Sequence, residues 1–301
     1  MRDDYLWDRS GAPDPTVERL EHLLSGYRCP ESAPARARPR YRGSALAATV
    51  LIAAAVALSV AVQPARRSSV WAIDGRAVHV GETLETKQGT TATLSASSVG
   101  ELRLEPETRV RVTRSGGRQQ RLALDRGTLH ALIWAPPQEF VVDTPAATTI
   151  DLGCEYELHV AADGGGLLTV RRGWVAFQAG AVESFIPAGA ACRTRPRTGP
   201  GLPYFEDASE RFRASVARVE AGGKIEELLA AARPRDALTL WHLLRRVPAG
   251  DRGRVAERFV QLVPSVRAES LARAEPAAIE AAWNALALGD TGWWRGWKRN
   301  W

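Results

Sequence analysis

The stretch EFVVDTPAATTIDLGCEYELHV, residues 139–160, decides the fold. Two runs of strand-forming residues frame it, EFVVDT (139–144) and CEYELHV (154–160). In Asp143-Thr144-Pro145 the proline fixes φ and ends the first strand, and the threonine hydroxyl stands where it can bond a neighbouring backbone group. Gly153 precedes the second run, where a turn or a close backbone approach wants no side chain. On that second strand Cys154 and His159 are five apart and face opposite ways, so they cannot chelate a metal together. Glu157 and His159 share a face, which reads as a cross-strand surface pair rather than a metal site.

The same period of two extends in both directions. ELRL (101–104), RVRVT (109–113), RLALD (121–125) and TLHALIW (128–134) lie upstream; LLTVRR (167–172), GWVAFQ (173–178) and VESFIP (182–187) lie downstream. Turn residues punctuate them at Ser115-Gly-Gly, Asp125-Arg-Gly, Ala135-Pro-Pro, Asp163-Gly-Gly-Gly and Ala179-Gly. Many short strands with regular turn signals predict an all-β sandwich or roll, jelly-roll-like, over residues 68–200. The triple glycine 164–166 falls between two strands and reads as a hairpin turn, not a phosphate loop.

After Pro203 the period changes. DASERFRASVARVEAG, KIEELLAAA, PRDALTLWHLLRRV, DRGRVAERFVQLV and AAIEAAWNALALG read as consecutive short helices, a helical C-terminal region over 207–301. Pro234, Pro248, Pro264 and Pro276 sit at or near helix starts, and Gly222, Gly250 and Gly289 are expected to follow helix ends. The chain closes on TGWWRGWKRNW, where Trp293, Trp294, Trp297 and Trp301 recur at helical spacing among Arg295, Lys298 and Arg299. Such a tail either anchors at a membrane interface or packs its indoles across the rest of the molecule.

Ahead of the β region, SALAATVLIAAAVALSVAV (44–62) runs without a charge for about the length that spans a bilayer as a helix. More than forty residues precede it, which sets it apart from a cleaved signal. Arg28, Arg36, Arg38, Arg40 and Arg42 lie before it and only Arg66 and Arg67 just after, so the N-terminus is expected inside and the main domain periplasmic. The cytoplasmic segment 1–43 holds a short amphipathic helix whose stripe is Val17, Leu20, Leu24 and Tyr27, followed by a proline- and arginine-rich linker. Forty residues cannot bury that stripe alone, so it calls for a partner.

Composition is ordinary for a globular chain of 301 residues, with 45% hydrophobic and 25% charged residues. The net charge of +6 is arginine scattered among carboxylates, a solvated surface rather than a nucleic-acid footprint. The cysteines divide across the expected membrane, with Cys29 inside and reduced. Cys154 and Cys192 would share an oxidising compartment, either as a disulfide or as two small buried thiols. His22 and Cys29 are too few for a zinc site in the cytoplasmic segment, and no Gly-x-Ser-x-Gly elbow or Cys–His pairing marks a nucleophile. Neither an enzyme nor a cofactor is expected.

Taken in order, VGETLETKQGTTATL (80–94), ELRLEPETRVRV (101–112), LALDRGTLHALI (122–133), FVVDTPAATTIDLGCEYEL (140–158), LLTVRRGWVAF (167–177) and FIPAGAAC (185–192) resemble the periplasmic domain of the FecR family. That family consists of membrane-bound regulators of extracytoplasmic-function sigma factors. The fourth segment is similar to the family's phe-x-val-x-thr-pro and leu-gly-thr-x-phe core, with Cys154 where a small polar residue is expected. The cytoplasmic part is shorter than a full anti-sigma domain, and the C-terminal helices differ from those of the iron-citrate regulators. The resemblance implies an inner-membrane protein that relays an envelope signal to a sigma factor held at Val17, Leu20, Leu24 and Tyr27. The alternative is an envelope scaffold or adaptor that binds proteins or glycans through its periplasmic domains. Membrane lipid is a further expected partner in either case.

The topology has a direct test. Alkaline phosphatase folds only where its disulfides form, so a fusion after residue 68 is expected to be active and one before residue 43 inactive. The reverse pattern would invert the orientation.

Overall fold

The computed structural model describes residues 71–116, 119–264 and 266–289, all within the second of the chain's two units, Pro64–Trp301. Sixteen strands are described: β1 (Ala72–Ile73), β2 (Arg76–Ala77), β3 (Thr83–Glu85), β4 (Ala92–Ala96), β5 (Gly100–Leu104), β6 (Arg109–Arg114), β7 (Gln120–Ile133) and β8 (Phe140–Asp143), then β9 (Thr148–Asp151), β10 (Glu155–Val160), β11 (Gly166–Arg172), β12 (Trp174–Ala179), β13 (Val182–Pro187), β14 (Ala190–Arg195), β15 (Gly199–Pro200) and β16 (Tyr204–Phe205). Six α-helices follow: α1 (Glu210–Glu220), α2 (Glu226–Ala231), α3 (Ala237–Leu244), α4 (Ala249–Leu262), α5 (Ala268–Ala272) and α6 (Pro276–Ala285). The architecture is mostly antiparallel β with C-terminal helices. No helix among the described residues is long and apolar enough to cross a membrane, and the expected span 44–62 lies outside them, as does the cytoplasmic segment 1–43.

The strands form two layers that share one member. The first layer runs β2-β1-β4-β5-β7-β10-β11-β14, with β15 and β16 on the far side of β14; the second runs β3-β6-β7-β8-β9-β12-β13. Alternation sets which side chains lie between the layers. In β5, Leu102 and Leu104 are buried while Glu101 and Arg103 point out; in β6, Val110 and Val112 are buried while Arg109 and Arg111 point out. The β7–β8 pair is parallel and every other described pair antiparallel.

The sequence pattern implies two strands, RLALD and TLHALIW, with a turn at Asp125-Arg-Gly. The structure has one strand of 14 residues there, β7, which bends and changes layers. Its first half pairs with β6 and β8, and its second half, from Gly127, pairs with β5 and β10. The register slips between Arg109 and Val110, so Asp125 is bulged and the local twist rises. Gly127 carries a φ of +93°, and a Cβ there would lie 2.7 Å from Thr108 Cβ and nearer still to its Cα. Thr108 closes the corner: its hydroxyl donates to Thr128 O (3.1 Å) and accepts from Thr128 N (2.9 Å). Its own N–H donates to Thr86 Oγ1 (2.9 Å), whose hydroxyl in turn donates to Glu105 O (2.6 Å).

The decisive stretch behaves as its residues suggest. β8 stops at Asp143, and the Thr144 hydroxyl donates to Ala147 O (2.8 Å) and accepts from Ala147 N (3.0 Å). Arg121 clamps Asp143 through Nε (2.5 Å) and Nη2 (2.8 Å), tying the parallel pair together. The pair is about a third exposed, so its worth is at most about 1 kcal/mol. Gly164 makes a left-handed turn between β10 and β11, the hairpin expected of the triple glycine.

Helix signals hold in most places. Ser209 caps α1 by accepting from Phe212 N (3.2 Å), and Gly222 takes φ +87° just past its end. Gly250 corrects the expectation that it follows a helix end: it lies in the first turn of α4, which Pro248 opens. The helices share one hydrophobic core with the strands.

Two glycine substitutions isolate the corner. Gly127→Ala meets both a left-handed backbone and Thr108, and is expected to cost about 3 kcal/mol. Gly75→Ala has φ +78° but open space, and is expected to cost about 1 kcal/mol. Urea melts compare them; equal losses would mean that the Thr108 contact contributes nothing.

Candidate functional site

The helical region meets the β layers along the outer edge of β13. An edge strand leaves alternate N–H and C=O groups unpaired, and α3 covers this one. Phe185 N donates to His242 Nε2 (3.0 Å), so the ring proton sits on Nδ1, which donates to Leu238 O (2.9 Å) one turn back. His242 is 2% exposed; burial, and then the Arg246 charge, lower its pKa to about 3. It is a neutral imidazole with both nitrogens engaged.

Arg246 completes the cover. Its Nη2 donates to Glu183 O (3.0 Å) and Ser184 Oγ (2.6 Å), and its Nη1 to Pro200 O (2.9 Å). Thr239 reaches from α3 itself to Pro203 O (2.7 Å). Around these bonds lies an aromatic cluster: Trp283 stands 5.7 Å from Trp174, 5.8 Å from Phe185 and 4.6 Å from Trp241 between ring centroids. Burying each such ring is worth about 2–3 kcal/mol.

A groove of about 640 Å³ opens beside this junction, between the β14–β15 turn, α1 and the α3–α4 connection. Arg193, Arg195, Arg245 and Arg246 line it with Glu220 and Asp251. Glu220 is committed: one oxygen accepts from Leu202 N (2.6 Å) and the other pairs with Arg195 (3.1 Å). Burial raises its pKa, partly offset by these partners. Arg193 and Arg245 are exposed, the Arg245 guanidinium lying 5.9 Å from the Trp241 ring centroid, so the rim of the groove is cationic.

Inside the FVVDTP–DLGCEYEL stretch sits a second buried cluster. Asp151 is 1% exposed and touches the Cys154 thiol, while Gly153 N donates to its Oδ1 (2.8 Å). Burial lifts its pKa to about 7. Cys154 and the neighbouring Tyr156 are both driven well above their usual values by burial and by the Asp151 charge. A nucleophilic thiol needs a lowered pKa, so this cluster holds structure and does not activate sulfur.

Cys192 is equally unreactive, pushed up to about 12 by burial. It lies among Ser184, Gly201 and Arg246, whereas Cys154 faces Asp151. Both are buried free thiols, so the Cys154–Cys192 disulfide is not formed: each sulfur has its own packed surroundings. On the outer face of the first layer, His130 sits between Glu105 (3.1 Å) and Glu157 (3.4 Å), and His159 meets Thr128 (2.9 Å). Glu157 thus makes the expected kind of cross-strand pair, though with His130. Among the described residues no group of three or more His, Cys, Asp or Glu is placed to hold a metal.

Of the site residues expected from sequence, Val17, Leu20, Leu24, Tyr27 and Trp293, Trp294, Trp297 and Trp301 lie outside the described residues. The sequence reading missed His242, Arg246, Glu220 and Asp151. A histidine inside the apolar run LTLWHLL was the available signal, since a buried imidazole needs two partners.

Residues 82–176 match the family model described as FecR protein, so the chain carries a FecR domain. No curated protein matches the chain. Two crystal structures of a "putative anti-sigma factor" from Parabacteroides distasonis ATCC 8503 are similar at 16% identity, each with a TM-score of 0.37 over 46% of this chain. The match covers 65% and 64% of those chains, under two thirds of their length.

Asp151 lies within the FecR domain and His242 outside it, and the two titrate in opposite senses. The depressed His242 pKa leaves the unfolded chain binding more protons between about pH 3 and 6.5, so its contribution is full above that window and lost on acidification. The raised Asp151 pKa leaves the folded chain binding more protons between 3.8 and about 7, so its contribution is lost as pH rises. Asp151→Asn removes the second effect. From pH 7 to 5 this variant is expected to lose about 2 kcal/mol more than the double variant Asp151→Asn, His242→Gln. Urea melts at both values check it; parallel losses would place the His242 ring in water.

Proposed function

We propose that this chain is a regulator of a sigma factor, anchored in the inner membrane by residues 44–62, with its FecR domain and helices on the periplasmic side. The FecR match over residues 82–176 is the observation that carries this reading. The described residues supply a binding surface more readily than a reaction centre. His242 and Arg246 are spent on the edge of β13, and both buried thiols are held protonated. In this reading the periplasmic part docks an envelope partner, and the state passes through the single span to residues 1–43. There Val17, Leu20, Leu24 and Tyr27 hold an extracytoplasmic-function sigma factor as an apolar helix face laid in a groove.

A second reading is favoured by the arginine-lined groove. An envelope adaptor would use Arg193, Arg195 and Arg245 to bind an acidic protein or glycan, with the N-terminus serving only as an anchor.

Immobilised residues 1–43 are expected to retain one of the host's extracytoplasmic-function sigma factors, and to lose it when Leu20→Asp and Leu24→Asp break the stripe. Retention of none, together with full function after 1–43 is replaced by an unrelated sequence, would favour the adaptor.

A further inference from the structure

The aromatic cluster at the junction is not fully covered. Trp174 is half-buried, and beside it runs a groove of about 570 Å³ walled by Pro187, Phe205, Leu238, Val263 and Leu286. That volume falls within the roughly 300–1,000 Å³ typical of sites that enclose a ligand. The lining is mainly apolar, with one exposed cation at the rim: Arg235, whose guanidinium pairs with Asp207 (3.4 Å) along its edge and lies 4.3 Å above the Phe205 ring. A planar cation at the mouth of an aromatic-walled groove suits a flat aromatic occupant, which stacks on it and extends the ring cluster.

The chain itself delivers such an occupant. Helix α6 ends at Ala285, and Leu286 and Leu288, which follow it, line the groove. Ala287 (φ +52°) and Gly289 (φ +97°) both take left-handed conformations, which stop the helix and turn the backbone. Residues 290–301 follow, carrying Trp293, Trp294, Trp297 and Trp301. Extended, they reach at most about 40 Å. Their point of departure is the groove's own rim, so the first indoles need only a small part of that reach.

We propose that the tryptophan tail of the same chain is the occupant of this groove, with Trp293 and Trp294 seated against Trp174, Leu238 and Leu286 and stacked beneath Arg235. The tail is then the last piece of the core, closing the helical region onto β12 and the turn after β13. The inference stands independently of the sigma-factor reading.

The test uses the full chain in lipid nanodiscs, with Cys29→Ser. Cys154 and Cys192 are buried, so two introduced cysteines define the reaction. Ala188 is exposed on the groove wall and Ser95 is exposed five strands away, about 24 Å at ~4.8 Å per strand. Ala188→Cys with Arg295→Cys is expected to crosslink within one chain through a short bismaleimide, and Ser95→Cys with Arg295→Cys is not. Replacing Trp293 and Trp294 by serine is expected to cut the crosslink about tenfold or more, since each buried indole contributes at least that factor. An undiminished yield would mean that tethering alone brings the ends together, and would overturn the proposal. So would a crosslink that joins two chains, which assigns the groove to a second copy. Absence of any crosslink, with the tail cysteine captured by a maleimide on the lipid, would send the indoles to the membrane instead.

Discussion

The left-handed bend of β7 at Gly127 is the constraint on which both layers depend. One strand supplies the central pairing of the first layer through its second half and of the second layer through its first half. A side chain at that point would collide with Thr108, and Thr108 itself holds the strand by bonding Thr128 through both hydroxyl functions. The chain thereby makes a two-layer roll from a single continuous ladder. The corner costs one glycine and a bulge at Asp125, and it keeps the backbone groups paired on either side of the bend.

A roll closed this way still has edges, and the helical region follows from one of them. The outer edge of β13 offers Phe185 N–H and Glu183 C=O to solvent or to another strand. Helix α3 meets the first with an imidazole acceptor, and Arg246, two residues past its end, meets the second with a guanidinium donor, so a polar match fixes the register of an otherwise apolar contact. The aromatic cluster around Trp283 then supplies the burial energy, while the hydrogen bonds specify where the helix sits. Removal of His242 would take away the imidazole acceptor of the Phe185 N–H, and the loss of a buried acceptor costs more than the bond is worth when made.

Buried polar groups elsewhere follow the same economy of partners. Burial lifts the Asp151 pKa to about 7 while Gly153 N–H bonds its carboxylate, and Glu220 is held by a backbone N–H and Arg195. Exposed or half-buried groups line the surface grooves: Arg193 and Arg245 along one, and Trp174 and Arg235, the latter paired with Asp207, along another. The titratable interior is thus committed to holding that surface in shape.

Local pattern alone determined the strands, the helices and most of their ends, because alternation, caps and left-handed glycines are properties of a few adjacent residues. ELRL, RVRVT and CEYELHV became β5, β6 and β10, and Ser209 capped α1. The order of the β segments also carried the FecR likeness. Tertiary structure alone decided that Asp125-Arg-Gly is a bend and not a turn, since only the approach of Thr108, nineteen residues away, keeps the strand running. It also decided that Cys154 and Cys192 stay apart and that His242, 57 residues from Phe185, completes an edge. Such pairings depend on which distant backbone arrives at a given face, and no periodicity within a segment records that.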